Sequence, residues 1–146
     1  MILPIITYPN DILRKKGARV KDPKSSETRE LIFDMLETME YSGNALGLAA
    51  PQIGQSVRLC IIKLDGKTHI LINPKITYKS WKKDTGEEGC LSFPGKFIPV
   101  KRHKKVTVKA VDKDGENVTI KADGLFSRAL QHEIDHLDGV LYIDRK

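Results

Sequence analysis

From Glu27 to Tyr41, apolar side chains recur at helical spacing, with Leu31, Ile32, Met35, Leu36 and Met39 sharing one face. Ser25 or Ser26 can cap the start of this helix, and Gly43 can end it. Before it, Pro9-Asn10-Asp11 reads as the cap of a short first helix. After it, the Gly/Ala/Pro-rich stretch from Gly43 to Gly54 breaks both periodicities and reads as a tight loop. The period then drops towards two. Val57–Lys63, Ile70–Asn73 and Lys75–Trp81 read as strands, and Val106–Asp112 and Asn117–Ala122 flank Asp112-Lys113-Asp114-Gly115, a hairpin signal. Helical periodicity returns from Asp123 to Asp138 through Leu125, Ala129, Leu130, Ile134 and Leu137. Gly139 closes that helix, and Val140–Ile143 reads as a returning strand. The expected fold class is α+β, with antiparallel β-sheets packed around the C-terminal helix.

Composition narrows the setting. A chain of 146 residues, 40% apolar and 30% charged, suits a single catalytic domain spanning 1–146 and argues against disorder. Its two cysteines, Cys60 and Cys90, make no disulfide framework, so they read as reduced thiols. The apolar start lacks a basic flank and is interrupted by Pro4, which excludes a signal segment, and no run is long enough to cross a bilayer. The expected location is therefore cytoplasmic, with no membrane partner. The net charge of +6 is compatible with an anionic partner but specifies none.

The last helix contains His132-Glu133-Ile134-Asp135-His136, an HExxH pattern. Residues four apart on a helix differ by about 40° around its axis, so both imidazoles can share one metal ion. Glu133, about 100° from His132, can reach a water at that ion without displacing a ligand. A solvated helix face with two incidental histidines is the bland alternative. The third ligand must lie upstream, because Tyr142 stands where a metzincin-type peptidase would place its third histidine and no glutamate follows His136. Candidates are Cys60, Cys90, His69, His103 and several carboxylates. Cys60, inside an apolar run, reads as a small buried hydrophobe, while His69 and His103 read as surface residues. Cys90, in a turn-rich stretch between Gly89 and Pro94, can be either a ligand or packing.

Three segments together resemble the peptide deformylases: Gly47-Leu48-Ala49-Ala50-Pro51-Gln52, Glu88-Gly89-Cys90-Leu91-Ser92, and Gln131-His132-Glu133-Ile134-Asp135-His136-Leu137-Asp138-Gly139. The likeness runs from about Ile5 to Arg145. It implies that Cys90, His132 and His136 bind one divalent metal ion, commonly Fe(II) in that family, with Zn, Ni or Co able to replace it. It also implies that Glu133 is general base and acid for a metal-bound water attacking a formyl carbonyl. Gln52, through its amide, and Leu91, through its backbone N–H, would steady the oxyanion. Gly47 would hold the substrate backbone, and Leu125 and Ala129 would line a methionine pocket, unless they are simply core. Glu88 and Arg102 match a pair that helps hold the Gln52 segment; an ordinary surface ion pair is the competing account. The implied substrates are N-formylmethionyl peptides emerging from the ribosome, with weak ribosome association possible and a monomer expected.

Two departures stand out. Ala45 occupies a position where the family usually has glycine, which bears on the loop's path. The sequence also ends at Lys146, where many relatives carry a further tail, so no docking role of such a tail transfers. Two other readings compete. An HExxH peptidase cutting internal bonds lacks its downstream ligand. A nucleic-acid module could use Lys101-Arg102-His103-Lys104-Lys105, but the run lacks interleaved aromatics and reads more simply as a solvated strand edge, one that can help an enzyme working near the ribosome.

Overall fold

Alternation along one short strand separates the two halves of the core. In the computed structural model, which describes residues 1–43 and 45–146, β2 (Leu59–Leu64) is buried on both faces. Cys60 and Ile62 pack with Ala129, Leu130, Ile134 and Leu137 of α2 (Leu125–Leu137). Leu59 and Ile61 pack with Ile32, Met35 and Met39 of α1 (Ser26–Ser42). Successive strand side chains point to opposite faces, so four consecutive apolar residues can serve two helices. The sheet between them has five antiparallel strands in the order β1 (Gly47–Ala49), β2, β3 (Lys67–Lys79), β6 (Lys105–Val111) and β7 (Asn117–Asp123). A second, two-stranded sheet pairs β4 (Lys83–Cys90) with β5 (Phe93–His103). The fold is thus α+β, with antiparallel sheets around the C-terminal helix.

Local chemistry accounts for most boundaries. The Ser25 side chain accepts from the Thr28 N–H and starts α1, and Gly43 ends it at φ 79°. Asn10 caps the short 3-10 helix Asp11–Arg14 by accepting from the Ile12 N–H. The two runs read at Ile70–Asn73 and Lys75–Trp81 are one strand, β3. They are joined through irregular pairing around Pro74, where Asn73, at φ 52°, turns its amide to the Val20 N–H and C=O.

Three expectations change. The segment read as a loop carries β1 and the 3-10 helix Ala50–Ile53, while Asn44 lies outside the described residues. The strands β4 and β5 were not anticipated, because Gly86, Gly89, Pro94, Gly95 and Pro99 interrupt any alternation. Val140–Ile143 is not a strand. Gly139, at φ 75°, turns the chain back into a 3-10 helix, Tyr142–Arg145. That turn buries Tyr142 against Phe93, with ring centroids 4.9 Å apart and the hydroxyl donating to the Lys96 carbonyl at 2.7 Å. No described helix is long and apolar enough to cross a membrane.

A Cβ at Gly139 would collide with the backbone carbonyl of Arg14, besides sitting at a left-handed φ. Gly139→Ala is expected to destabilise the fold by about 2 kcal/mol or more, lowering the melting temperature by several degrees. An unchanged melting temperature in calorimetry would contradict this account of the turn.

Candidate active site

The helix α2 presents His132 and His136 one turn apart, their ring centroids separated by 5.1 Å. The end of β4 brings Cys90 to them, with its Sγ 3.4 Å from His136 Nε2. The three ligand atoms of Cys90, His132 and His136 all lie within 4.8 Å of one another. A tetrahedral ion with a sulfur at about 2.3 Å and nitrogens at about 2.1 Å separates its ligands by roughly 3.5 Å, so the donor set fits one metal ion. Two borderline imidazole nitrogens and a soft thiolate suit a first-row divalent ion such as iron, cobalt, nickel or zinc.

The other candidates are accounted for elsewhere. Cys60 is fully buried, and burial pushes its thiol well above the ordinary value, as expected for a packing residue. His69 and His103 are half-buried rather than surface residues. The first leans on the Phe126 ring, and the second turns its Nδ1 to the Ser80 carbonyl at 2.7 Å.

One carboxylate organises the ligands. Glu88 Oε1 accepts from His132 Nδ1 at 2.8 Å, which leaves His132 Nε2 for a metal. The same carboxylate takes both the Nε and the Nη2 of Arg102 at 2.9 Å, and the Nη1 of Arg128 at 2.6 Å. Burial alone would raise the Glu88 carboxyl. The Arg102 guanidinium and the His132 ring overcome that and hold it far below the usual range. Arg102 continues to Asp135 at 2.6 Å, and Asp135 is met in turn by Arg145.

This corrects two expectations. Glu88 and Arg102 are not a surface ion pair, since their side chains are 5% and 3% exposed. Their hydrogen bonds also run to His132, Arg128 and Asp135, not to the Gln52 segment. Arg102 is therefore turned inward and does not belong to the solvated basic run.

Gln52 is held by other means. It is buried, its Oε1 accepts from the Ala49 N–H at 2.9 Å, and its Nε2 points to Ser92 Oγ at 3.2 Å and Cys90 Sγ at 3.5 Å. Glu133 lies beside the ligands, and burial pushes its carboxyl up to about 7. Its Oε1 is buried with no hydrogen-bond partner among the described residues, as suits a group whose partner is a water or substrate. The Glu133 side chain rests on Gly47, where a Cβ would come within 2.5 Å of Oε2.

Gln52, Glu88, Cys90, Arg128, His132 and Glu133 face a cleft of about 480 Å³, of the size that holds small ligands. Gly47, Gln52, Leu91, Leu125 and Ala129 line it together with Glu133, His132 and Cys90, and so does Ala45. All the anticipated site residues but two line this cleft; His136 joins Cys90 and His132 as the third ligand, and Arg102 bonds to Glu88. Arg128, Asp135 and Ser92 were missed. Arg128 had a signal, lying one turn before His132 on the same helix face.

Comparison with known proteins decides the family. The model of the polypeptide deformylase family matches residues 2–146. The chain belongs to that family. A peptide deformylase of Thermodesulfovibrio yellowstonii is 44% identical, the match covering 99% of this chain and 88% of the relative. Peptide deformylase 1 of Clostridium perfringens is 46% identical over 94% of this chain and 92% of its own length. Among solved structures, the Thermotoga maritima peptide deformylase superposes with a TM-score of 0.95 at 37% identity, covering 99% of this chain and 97% of that one. A Synechococcus elongatus peptide deformylase in complex with actinonin gives 0.93 at 41% identity, with 98% and 78% covered. The family is metal-dependent and removes the N-formyl group from nascent chains, so the internal-bond peptidase reading falls away.

If Glu88 fixes His132, Glu88→Gln should weaken metal binding by about 10- to 100-fold. Competition with a chromophoric chelator would measure it, and an unaltered affinity would show that the carboxylate only packs.

Proposed function

We propose that the chain hydrolyses the formamide of N-formylmethionyl peptides and releases formate, working in the cytoplasm on chains emerging from the ribosome, as a monomeric single catalytic domain. Cys90, His132 and His136 would hold one divalent ion, Fe(II) by the family's habit, with Zn, Ni or Co as substitutes. The observation that carries this reading is the unpartnered, buried Glu133 Oε1 beside the three ligand atoms at the head of an apolar cleft. When bound, such an ion supplies Lewis acidity that makes water a nucleophile near neutral pH and polarises the carbonyl.

The chain's own groups do the rest. Glu133 takes a proton from the attacking water, and its raised basicity suits that task near neutrality. It then returns the proton to the departing amine nitrogen, so that the C–N bond breaks to formate and a free amino terminus. The formyl oxygen gains negative charge as the water adds. Gln52 Nε2, which points towards Cys90, and the N–H of Leu91, a residue that lines the cleft, would be the donors that meet it. The strand β1 lies at the edge of its sheet, so its outer side can take the peptide backbone as an added strand at Gly47. Leu125 and Ala129 offer apolar wall to the methionine side chain.

Formate release from a formyl-Met tripeptide tests the proposal directly, with protein purified without oxygen and loaded with Fe(II) or Ni(II). Wild type should turn over, Glu133→Ala should retain its metal yet be inactive, and Cys90→Ala should lose the metal. Absence of formate from metal-loaded wild type would sink the reading. Gly47→Ala is a sharper probe, because the new methyl group would push Glu133 aside. It should lower kcat about 100-fold with the metal retained; an unchanged kcat would show that Glu133 is not held against Gly47.

A further inference from the structure

A second cleft, of about 640 Å³, shares no lining residue with the catalytic one and lies against another face of α2. Its rim carries Lys75 and Lys79 from β3, Lys83 from β4 and Lys101 from β5, all exposed. None of these four forms an ion pair among the described residues. Two side-chain carboxylates also face this space, and both are already matched: Asp138 by Arg58 at 2.9 Å, and Asp135 by Arg102 and Arg145. The lysines therefore dominate the field in the cleft.

An aromatic side chain lies between two of these lysines along the chain. Trp81, the only tryptophan in the sequence, is 99% exposed in the turn between β3 and β4, two residues from both Lys79 and Lys83. Tyr78, three residues earlier, is also exposed. Tryptophan is rarely left in water without a partner, because its ring is the largest apolar surface a side chain offers. A cationic groove with an aromatic platform is how proteins hold single-stranded nucleic acid: lysines follow the phosphates and a base stacks on the ring.

We propose that this cleft docks single-stranded RNA, with Lys75, Lys79, Lys83 and Lys101 on the backbone and Trp81 stacked on a base. The lysines are spread over three strands rather than converging on one point, and the guanidinium groups of the floor are tied to Asp135 and Asp138. A single small anion would want the reverse arrangement. The cationic wall is concave, which suits a strand and not a flat bilayer. The inference stands independently of formate release.

Fluorescence of Trp81 in the metal-loaded protein, titrated with an RNA of roughly 12 nucleotides, reads the site directly. Saturable quenching is expected, with log affinity falling against log salt at a slope of about −3 for four phosphates. Lys79→Glu with Lys83→Glu should weaken binding of labelled RNA by about tenfold or more and flatten the slope. Trp81→Ala should cost about tenfold while Trp81→Phe keeps most of the affinity. All of these variants should release formate from the tripeptide at the wild-type rate. The proposal is overturned if RNA neither quenches Trp81 nor binds by anisotropy, or if the lysine variant binds RNA like wild type. It is equally overturned if inorganic triphosphate, or phosphatidylserine vesicles, bind as tightly as RNA.

Discussion

Taking a carboxylate out of water is costly unless its charge and lone pairs are met, and the arrangement of this molecule turns on how that requirement is satisfied at Glu88. Glu88 lies near the end of β4, Arg102 near the end of β5, and Arg128 and His132 lie one turn apart on α2. The carboxylate bonds to all three partners, so it ties the small sheet to the helix where the small sheet's own apolar cover is thin. Replacing such a cluster with well-packed hydrophobes need not weaken a fold, and its value here lies in direction. A ring nitrogen hydrogen-bonded to a fixed anion cannot rotate freely, so the other nitrogen of His132 keeps its aim at Cys90 and His136. Asp135 draws the far side of Arg102 taut, and Arg145 does the same for Asp135.

The helix α2 must then satisfy opposite demands on its two sides. Ala129, Leu130, Ile134 and Leu137 join the core against β2, while His132 and His136 face Cys90. Glu133, next in sequence to His132, cannot share that direction, and it points instead at the backbone of β1. Only a residue without a side chain leaves space there, and Gly47 provides it. The same contact explains why the basicity of Glu133 rises: the strand that makes room for the carboxylate also keeps water from it.

What could be read in advance follows the range of the interactions involved. The two long helices and the β6–β7 hairpin rest on periodicity, caps and turn residues, all of them local, and they were legible. The pairing of His132 with His136 is local too, because one helical turn fixes it. The strands β4 and β5 pair with each other across only Leu91 and Ser92, yet they carry Gly, Pro and charge where alternation would be sought, so the hairpin does not show in the pattern. The role of Cys90 came from likeness to a family, not from its surroundings in the chain. Asp135 was invisible because a charged side chain on a helix reads as solvated until its buried partner is known, and Arg128 had only its helical spacing from His132 to mark it. The short apolar run after Gly139 carries no period that separates strand from turn, and there the left-handed glycine decided the matter.

The segment from Gly47 to Gln52 shows why loop-like sequence can hold a rigid site. Its first residue is the free sheet edge and the seat of Glu133; its last is the buried amide beside Cys90. The Ala49 N–H fixes which end of that amide faces the metal ligands, since it must bond to Oε1 and leaves Nε2 to turn towards Cys90 and Ser92. On the proposed reading, the backbone that receives the peptide and the donor that receives the developing charge are six residues of one tightly bonded stretch. A peptide seated on β1 would therefore present its formyl oxygen to a donor already in place, and no separate movement of Gln52 would be needed. Pre-set donors of this kind need no reorganisation as charge develops, which is where electrostatic stabilisation of a transition state is most effective.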